Sequence, residues 1–210
     1  MFKEPKVLIL DNYDSFTWNL LQLVKEAGHA CDVVRSDNEL PKDIDTYTHL
    51  IISPGPGHAA EYTRLLSVND WWGSRPLLGV CLGMQALAIA DGQSLVNLDL
   101  VRHGAIGLIS RSEPSVLFEG LPWSFKAGLY HSWAVASLTS SSNFVITARD
   151  EEGVIMAMDH KKMPWSGVQF HPESIMTEHR LQIVSNFIRF TGKTRNHELP
   201  QDRLPEVASE

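Results

Sequence analysis

The stretch LLGVCLGMQALAIA, residues 77–90, decides the fold. Its first four residues are apolar, as in a short strand that is buried on both faces of a sheet. Residues 82–90 are apolar enough for a buried helix, so the strand is predicted to run directly into a helix. Cys81 stands at the junction in the pattern Gly-Val-Cys-Leu-Gly, a thiol version of the nucleophile elbow, in which a strained turn presents a reactive side chain.

The preceding part of the chain repeats this alternation of strand and helix. Residues 7–10, 31–35 and 49–53 predict three further strands. Between the first two, apolar residues recur at helical spacing over residues 16–24, and Gly28 is expected to end that helix. Strands separated by helices imply right-handed crossovers and a parallel sheet.

The second half has a different pattern. Residues 144–148, 154–158 and 166–170 predict strands joined by short polar turns, which indicates antiparallel strands added to the sheet. A last helix is expected to begin near Thr177. Its apolar face carries Leu181, Val184 and Ile188.

These patterns predict a single α/β domain over residues 1–190. Its core is an open, mostly parallel sheet with helices on both faces and added antiparallel strands. Residues 191–210 are polar and include two prolines, which indicates a mobile C-terminal tail, with a docked tail as the alternative.

Composition indicates a globular protein. The chain has 210 residues, 43% of them hydrophobic, and a formal net charge of −7, which gives no electrostatic reason to bind nucleic acid or an anionic membrane. The N-terminus lacks the apolar run of a signal peptide, and no stretch approaches the roughly 20 apolar residues of a membrane helix. Two cysteines, Cys31 and Cys81, suit a reducing compartment. We therefore expect a cytoplasmic protein without nucleic-acid or membrane partners.

Cys81 is the candidate nucleophile. The helix that follows it should favour the thiolate, and the backbone N–H of Leu82 would point toward a developing oxyanion. The alternative is a buried structural cysteine, but the two glycines of the junction favour the nucleophile. Cys31 has no such setting and is assigned to strand packing.

A cysteine nucleophile needs a base, and His171 is the candidate. It ends a predicted strand in GVQFHPE, residues 167–173. Because the strand ends of an open parallel sheet meet at one edge, His171 can reach Cys81, and Glu173 could accept the proton of its other ring nitrogen. The alternative is an ordinary surface or core histidine, since the chain has nine.

The run SPGPG, residues 53–57, also follows a predicted strand. Its glycines would let the backbone approach a ligand and its prolines would stiffen the turn, so it is a candidate for a second oxyanion N–H. The alternative is a plain turn. No Gly-Lys-Ser/Thr follows, which excludes a P-loop, and no Cys/His spacing indicates a zinc site.

Together, five motifs point to a known family. In chain order they are DNYDSFTWNL (11–20), SPGPG (53–57), GVCLGMQ (79–85), YHS (130–132) and GVQFHPESI (167–175). With them the chain resembles the class I (triad) glutamine amidotransferases over about residues 7–190. Within the class it is similar to the glutaminase subunits of anthranilate synthase and aminodeoxychorismate synthase, and the first motif is the specific pointer to that branch.

The resemblance implies a catalytic triad. Cys81 would attack the side-chain amide of glutamine and form a γ-glutamyl thioester. His171 would activate the thiol and protonate the leaving ammonia, while Glu173 orients His171. Water would then release glutamate.

The resemblance also implies a substrate pocket without metal or cofactor. Its residues would be Gly55, Pro56, Gly57, Leu82, Gln85, Ser132 and Trp133. The first four would form the oxyanion hole and hold the substrate, and the last three would bind the amino-acid end of glutamine, Ser132 and Trp133 through their backbone.

The implied partners are L-glutamine and a chorismate-binding synthase subunit, in a heterodimer or heterotetramer. Ammonia would pass to that subunit unprotonated. The loop after the first strand should reach the edge of the sheet at which Cys81 lies, and contact the partner there. The residues expected in this contact are Asn12, Asp14, Ser15 and Phe16.

The chain departs from the family pattern in four places. Met84 stands where the close relatives have His, and Trp133 where Leu is common. Residues 58–61 replace the usual Pro and Gly after Gly57, and Ala105 lies where a Lys often follows His-Gly. Trp133 is expected to affect the pocket or the partner surface, and the last two are expected to affect partner contacts more than catalysis.

Two alternatives stand beside an amidotransferase that feeds a chorismate-aminating synthase. The first, within the same class, is a glutaminase for another acceptor, and the second, from a different class, is a non-catalytic regulatory homologue. The intact Cys81, His171 and Glu173 argue against the second. The sequence does not separate anthranilate from aminodeoxychorismate as the product, although Trp18 favours the latter.

Overall fold

A parallel sheet is built from the first strands of the chain. The computed structural model describes residues 4–99 and 102–190. Its first strands are β1 (Lys6–Asp11), β2 (Ala30–Arg35), β3 (His49–Ile52) and β4 (Leu77–Val80). β1 pairs in parallel with β2 and with β3, and β3 pairs in parallel with β4. The predicted strands are therefore confirmed.

The later strands extend this sheet. They are β5 (Leu95–Asn97), β6 (Ala105–Arg111), β7 (Ser124–Leu129), β8 (Trp133–Val135), β9 (Phe144–Asp150), β10 (Ile155–His160) and β11 (Trp165–Val168). The nine-stranded sheet has the order β2-β1-β3-β4-β11-β10-β9-β6-β7, and β5 pairs with β8 separately. The pairs from β11 to β7 are antiparallel, as predicted, whereas β11 is also parallel to β4.

Helices cover both faces of the sheet. They are α1 (Thr17–Glu26), α2 (Thr63–Leu66), α3 (Val68–Trp72), α4 (Leu82–Ala90) and α5 (Arg180–Arg189), and 3-10 turns lie at Ile44–Thr46, Ala59–Glu61 and Val116–Phe118. Successive side chains of a strand point to opposite faces. In β1, Val7 and Ile9 join a core with α1 and α5, whereas Leu8 and Leu10 join a second core with α4.

The last helix differs from its prediction. It begins at Arg180 instead of near Thr177, because residues 174–179 form turns and His179 has a left-handed φ of 58°. Leu181 is 41% exposed, so its assignment to the apolar face is wrong. The buried apolar residues of the helix are Ile183, Val184, Phe187 and Ile188.

Three parts of the chain lie outside the described residues: 1–3, 100–101 and 191–210. The expected tail falls among them, so the division at residue 190 stays a prediction. None of the helices that the structure describes combines the length and apolar character needed to cross a bilayer.

Candidate active site

Cys81 lies in a strained turn between β4 and α4. Its φ is 51° and its ψ −103°, a left-handed conformation that side chains other than glycine rarely adopt. The turn is held on both sides: the Cys81 N–H donates to the Val168 carbonyl at 2.8 Å, and the Gln85 N–H donates to the Cys81 carbonyl at 3.1 Å. The strand, the helix and the strained turn predicted around Cys81 are all present.

The glycines of this turn allow α4 to pack directly on the sheet. A Cβ on Gly79 would lie 2.6 Å from the carbonyl carbon of Gly83, and a Cβ on Gly83 would lie 2.6 Å from the carbonyl oxygen of Ile52. Such approaches leave no space for a side chain. The close packing of β3, β4 and α4 therefore requires the two glycines of the Gly-Val-Cys-Leu-Gly pattern.

His171 and Glu173 form a tightly bonded buried pair. The Nδ1 of His171 lies 2.6 Å from Oε1 of Glu173. The His171 backbone is fixed to the edge strand β7, since its N–H donates to the Gly128 carbonyl at 3.0 Å. The Thr177 hydroxyl donates to the His171 carbonyl at 2.6 Å and accepts from the Gly128 N–H at 3.0 Å.

The imidazole of His171 faces Cys81 and two aromatic rings. Phe16 and Tyr130 contact it edge-on, with centroid distances of 5.1 and 4.8 Å. Burial acts to lower the pKa of His171, but the charge of Glu173 and the neighbouring Cys81 thiol outweigh it and hold that pKa well above 6.5. Its Nε2 is buried without a hydrogen-bond partner among the described residues. The three residues expected to form the triad thus lie together.

A small cavity opens at Cys81. Its volume is about 200 Å³. The residues that line it are Gly55, Pro56, Gly57, Cys81, Leu82, Gln85, Tyr130, His131, Ser132 and Trp133. All seven residues expected to bind the substrate are among them. Tyr130 and His131 were recognised from the sequence only as part of a motif.

The loop after β3 is anchored beneath this cavity. The Asn12 N–H donates to Oγ of Ser53 at 2.9 Å, and Nδ2 of Asn12 donates to the Ser53 carbonyl at 2.8 Å. A Cβ on Gly55 would lie 2.7 Å from that of Asn12, so only glycine fits there. Asn12 is fully buried in this role, and the expectation that it contacts a partner is wrong.

Gln85 and His131 organise the opposite wall. Nε2 of Gln85 lies 2.8 Å from the Trp133 carbonyl and 3.2 Å from Oε1 of Gln169. Nδ1 of His131 lies 3.1 Å from the same Trp133 carbonyl. Burial lowers the pKa of His131 to about 4, so its ring is neutral at neutral pH.

Two residues that depart from the family pattern contact each other. The rings of His58 and Trp133 pack edge to face, with centroids 4.7 Å apart. His58 follows the loop after β3, whereas Trp133 belongs to β8. Their contact joins the segment after Gly57 to Trp133, which lines the cavity.

Comparison with known proteins decides the family. The family model for glutamine amidotransferase class-I matches residues 8–190. The chain belongs to this family. The expected glutamine amidotransferase is thereby confirmed.

Related amidotransferase components match over nearly their whole length. The chain is 40% identical to aminodeoxychorismate/anthranilate synthase component 2 of Bacillus subtilis, over 87% of this chain and 95% of that protein. It is also 40% identical to aminodeoxychorismate synthase component 2 of Klebsiella aerogenes, over 87% and 98%. A glutamine amidotransferase structure from Thermotoga maritima shares the fold, with a TM-score of 0.69 at 16% identity, covering 82% of this chain and 77% of that one.

Proposed function

We propose that this amidotransferase is the glutaminase subunit of a chorismate-aminating synthase. It hydrolyses glutamine to glutamate and delivers the ammonia to a synthase subunit. The observation that carries the proposal is the strained Cys81, which lines a cavity of amino-acid size beside the buried His171–Glu173 pair. The names of the Bacillus subtilis and Klebsiella aerogenes relatives support the choice of synthase.

The first half-reaction forms a thioester. The Cys81 sulfur attacks the carboxamide carbon of glutamine, and its proton passes to Nε2 of His171, which Glu173 holds in the correct tautomer through Nδ1. The raised pKa of His171 keeps the proton on the ring while the tetrahedral intermediate forms. The ring then gives this proton to the amide nitrogen as the C–N bond breaks, so that ammonia leaves and a γ-glutamyl thioester remains on Cys81.

The oxyanion of this step needs donors that are already in place. The backbone N–H of Leu82 lies in the first turn of α4, where the helix dipole adds to the stabilisation. The loop Gly55–Gly57 forms the facing wall of the cavity. In the second half-reaction, His171 takes a proton from water, which attacks the thioester and releases glutamate.

The amino-acid end of glutamine has a matching acceptor. Nε2 of Gln85 is already used by the Trp133 carbonyl and by Gln169. Its Oε1 accepts no hydrogen bond from the described residues and belongs to a side chain that lines the cavity. This oxygen is suited to the α-ammonium group of the substrate.

Exposed apolar side chains beside the catalytic imidazole support a docking face. Ile175 is 88% exposed and lies two residues beyond Glu173. Trp18 is 61% exposed and Tyr13 is 51% exposed, and they flank Phe16, which packs on His171. Large exposed apolar groups around a site are typical of a protein interface. The synthase subunit would bind there and receive ammonia before water protonates it.

The test measures glutamate release with and without a synthase subunit that forms anthranilate or aminodeoxychorismate. Cys81→Ala should abolish glutamine hydrolysis, and the matched variant Cys31→Ala should keep it, because Cys31 packs against the core far from the cavity. The synthase complex of Cys81→Ala should still form product from ammonium salt at raised pH. Equal glutaminase rates in Cys81→Ala and wild type would refute the mechanism, and an active enzyme that neither synthase stimulates would refute the partner.

A further inference from the structure

The side chain of Gln169 lies against the sulfur of Cys81. Gln169 is fully buried and stands two residues before His171. Its Nε2 is 3.4 Å from Sγ of Cys81, within the range of a hydrogen bond to sulfur. The Gln169 backbone is fixed by its N–H, which donates to the Met156 carbonyl at 2.9 Å.

The neighbouring groups decide which end of this amide faces the sulfur. The Trp133 carbonyl can only accept, so the end of Gln85 that meets it at 2.8 Å must be the amide nitrogen. That same nitrogen lies 3.2 Å from the Gln169 side chain, which must therefore present its oxygen. The NH₂ group of Gln169 is left to point at Cys81.

We propose that Gln169 is a positioning residue that holds the Cys81 sulfur and stabilises its thiolate through an N–H···S hydrogen bond, and that Gln85 fixes the direction of that bond. The proposal rests on the proposed function, in which Cys81 is the nucleophile. A hydrogen bond to a charged acceptor is stronger than one to a neutral acceptor, so this bond favours thiolate over thiol. It also restricts where the sulfur can lie relative to the cavity.

The contribution of Gln169 differs from those of the other groups near the sulfur. His171, supported by Glu173, changes its charge when it takes the proton. His131, which also lines the cavity, is neutral at neutral pH because burial lowers its pKa to about 4. The amide of Gln169 does not titrate, so it donates at every pH.

The experiment measures the alkylation rate of each cysteine by iodoacetamide against pH, read by mass spectrometry of the two cysteine peptides of the full chain. The thiolate is the reactive form, so the rate curve reports its population. Gln169→Leu removes the donor and should shift the Cys81 curve toward higher pH by about one unit. Gln169→Glu places an acceptor beside the sulfur and should shift it further.

Two controls accompany these variants. Gln182→Leu removes a glutamine of α5 whose Nε2 donates to the Glu119 carbonyl, and it should leave the Cys81 curve unchanged. Cys31 in the same molecule should react slowly throughout, because burial raises its pKa to about 12. Steady-state kinetics of Gln169→Leu should show a lower kcat and a nearly constant KM for glutamine, whereas a purely structural role would not move the pH curve.

The results distinguish failure of the role proposed for Gln169 from failure of the proposed function. An unchanged Cys81 curve in a folded Gln169→Leu protein overturns the role of Gln169 and leaves the nucleophile standing. If wild-type Cys81 reacts no faster than Cys31, the proposed function fails as well. If Gln169→Leu does not fold, Gln169→Asn decides, because its amide is one methylene too short to reach the sulfur while it keeps the polarity of the site.

Discussion

At the scale of single residues, the buried pair of His171 and Glu173 links chemistry to stability. Glu173 raises the pKa of His171 although burial acts to lower it. The folded protein therefore binds this proton more tightly than the unfolded chain, in which the pKa of histidine is about 6.5. The resulting stabilisation is fully present below pH 6.5 and is lost as the pH rises through the raised pKa.

Glu173→Gln should remove this pH-dependent stabilisation. The variant lacks the carboxylate charge that raises the pKa of His171 most, whereas burial continues to lower that pKa. The free energy of unfolding of wild type should exceed that of the variant most at pH 6, and the difference should shrink toward pH 9. Urea denaturation across this range measures it, with the exposed Glu119→Gln as control. A difference that stays constant with pH would show that Glu173 does not raise the pKa of His171.

At the scale of elements, the strand–turn–helix unit around Cys81 depends on the closeness of its backbones. The carbonyl of Ile52 in β3 occupies the place where a side chain on Gly83 would begin. Neither the Ile52 carbonyl nor the Gly83 backbone can move without shifting β3 or α4. Both elements pack in the core that contains Leu8 and Leu10. The reactive turn is therefore maintained by packing around it, not by its own sequence preference.

Gly83→Ala should destabilise the fold by about 3 kcal/mol, the upper part of the usual range for overpacking. Gly153→Ala is the matched control: its added Cβ meets nothing within 4 Å, and only its left-handed φ of 81° costs stability, about 1 kcal/mol. Urea denaturation followed by tryptophan fluorescence gives both values. Equal losses in the two variants would contradict the packing argument.

The elements found from the sequence are those with a strong local pattern. β1, β3, β4 and α4 lie in continuous apolar runs, and the structure buries them on both sides. The helices α2 and α3 have only four and five residues, too few for a helical period to show. β5 to β8 were not predicted either, because such strands are specified by pairing with distant segments more than by local propensity.

The residues of the candidate site also divide into those that a local sequence pattern reveals and those that it does not. Cys81 and His171 could be found because each belongs to a local motif beside a strand end. Gln169 belongs to the same motif as His171, yet its bonds run to Gln85 and Cys81, which are 84 and 88 residues away. Only the folded sheet brings these side chains together, so no local pattern could assign Gln169 a contact with the sulfur.

At the scale of the whole molecule, the sheet gathers its catalytic loops at one edge. The loops after β1, β3, β4 and β11 carry Phe16, Gly55, Cys81 and His171, and the aromatic contact between Phe16 and His171 joins the first of them to the last. A partner that binds the exposed residues of this edge therefore acts within contact distance of the catalytic imidazole. In the proposed function, glutamine hydrolysis is useful only when a synthase subunit is present to take the ammonia.

Addition of the synthase subunit should raise kcat for glutamine hydrolysis by about 5- to 150-fold, the usual range for coupling between two sites. Ile175→Asp should leave the basal rate unchanged and raise the synthase concentration needed for half-maximal stimulation by about 30-fold, since it places a charge at the centre of an apolar contact. Trp123→Asp changes another large exposed apolar residue, 58% exposed and directly before β7, and is the control. The curves for wild type, Ile175→Asp and Trp123→Asp are measured as steady-state glutamate release against synthase concentration. If Ile175→Asp and Trp123→Asp behave alike, the synthase docks elsewhere.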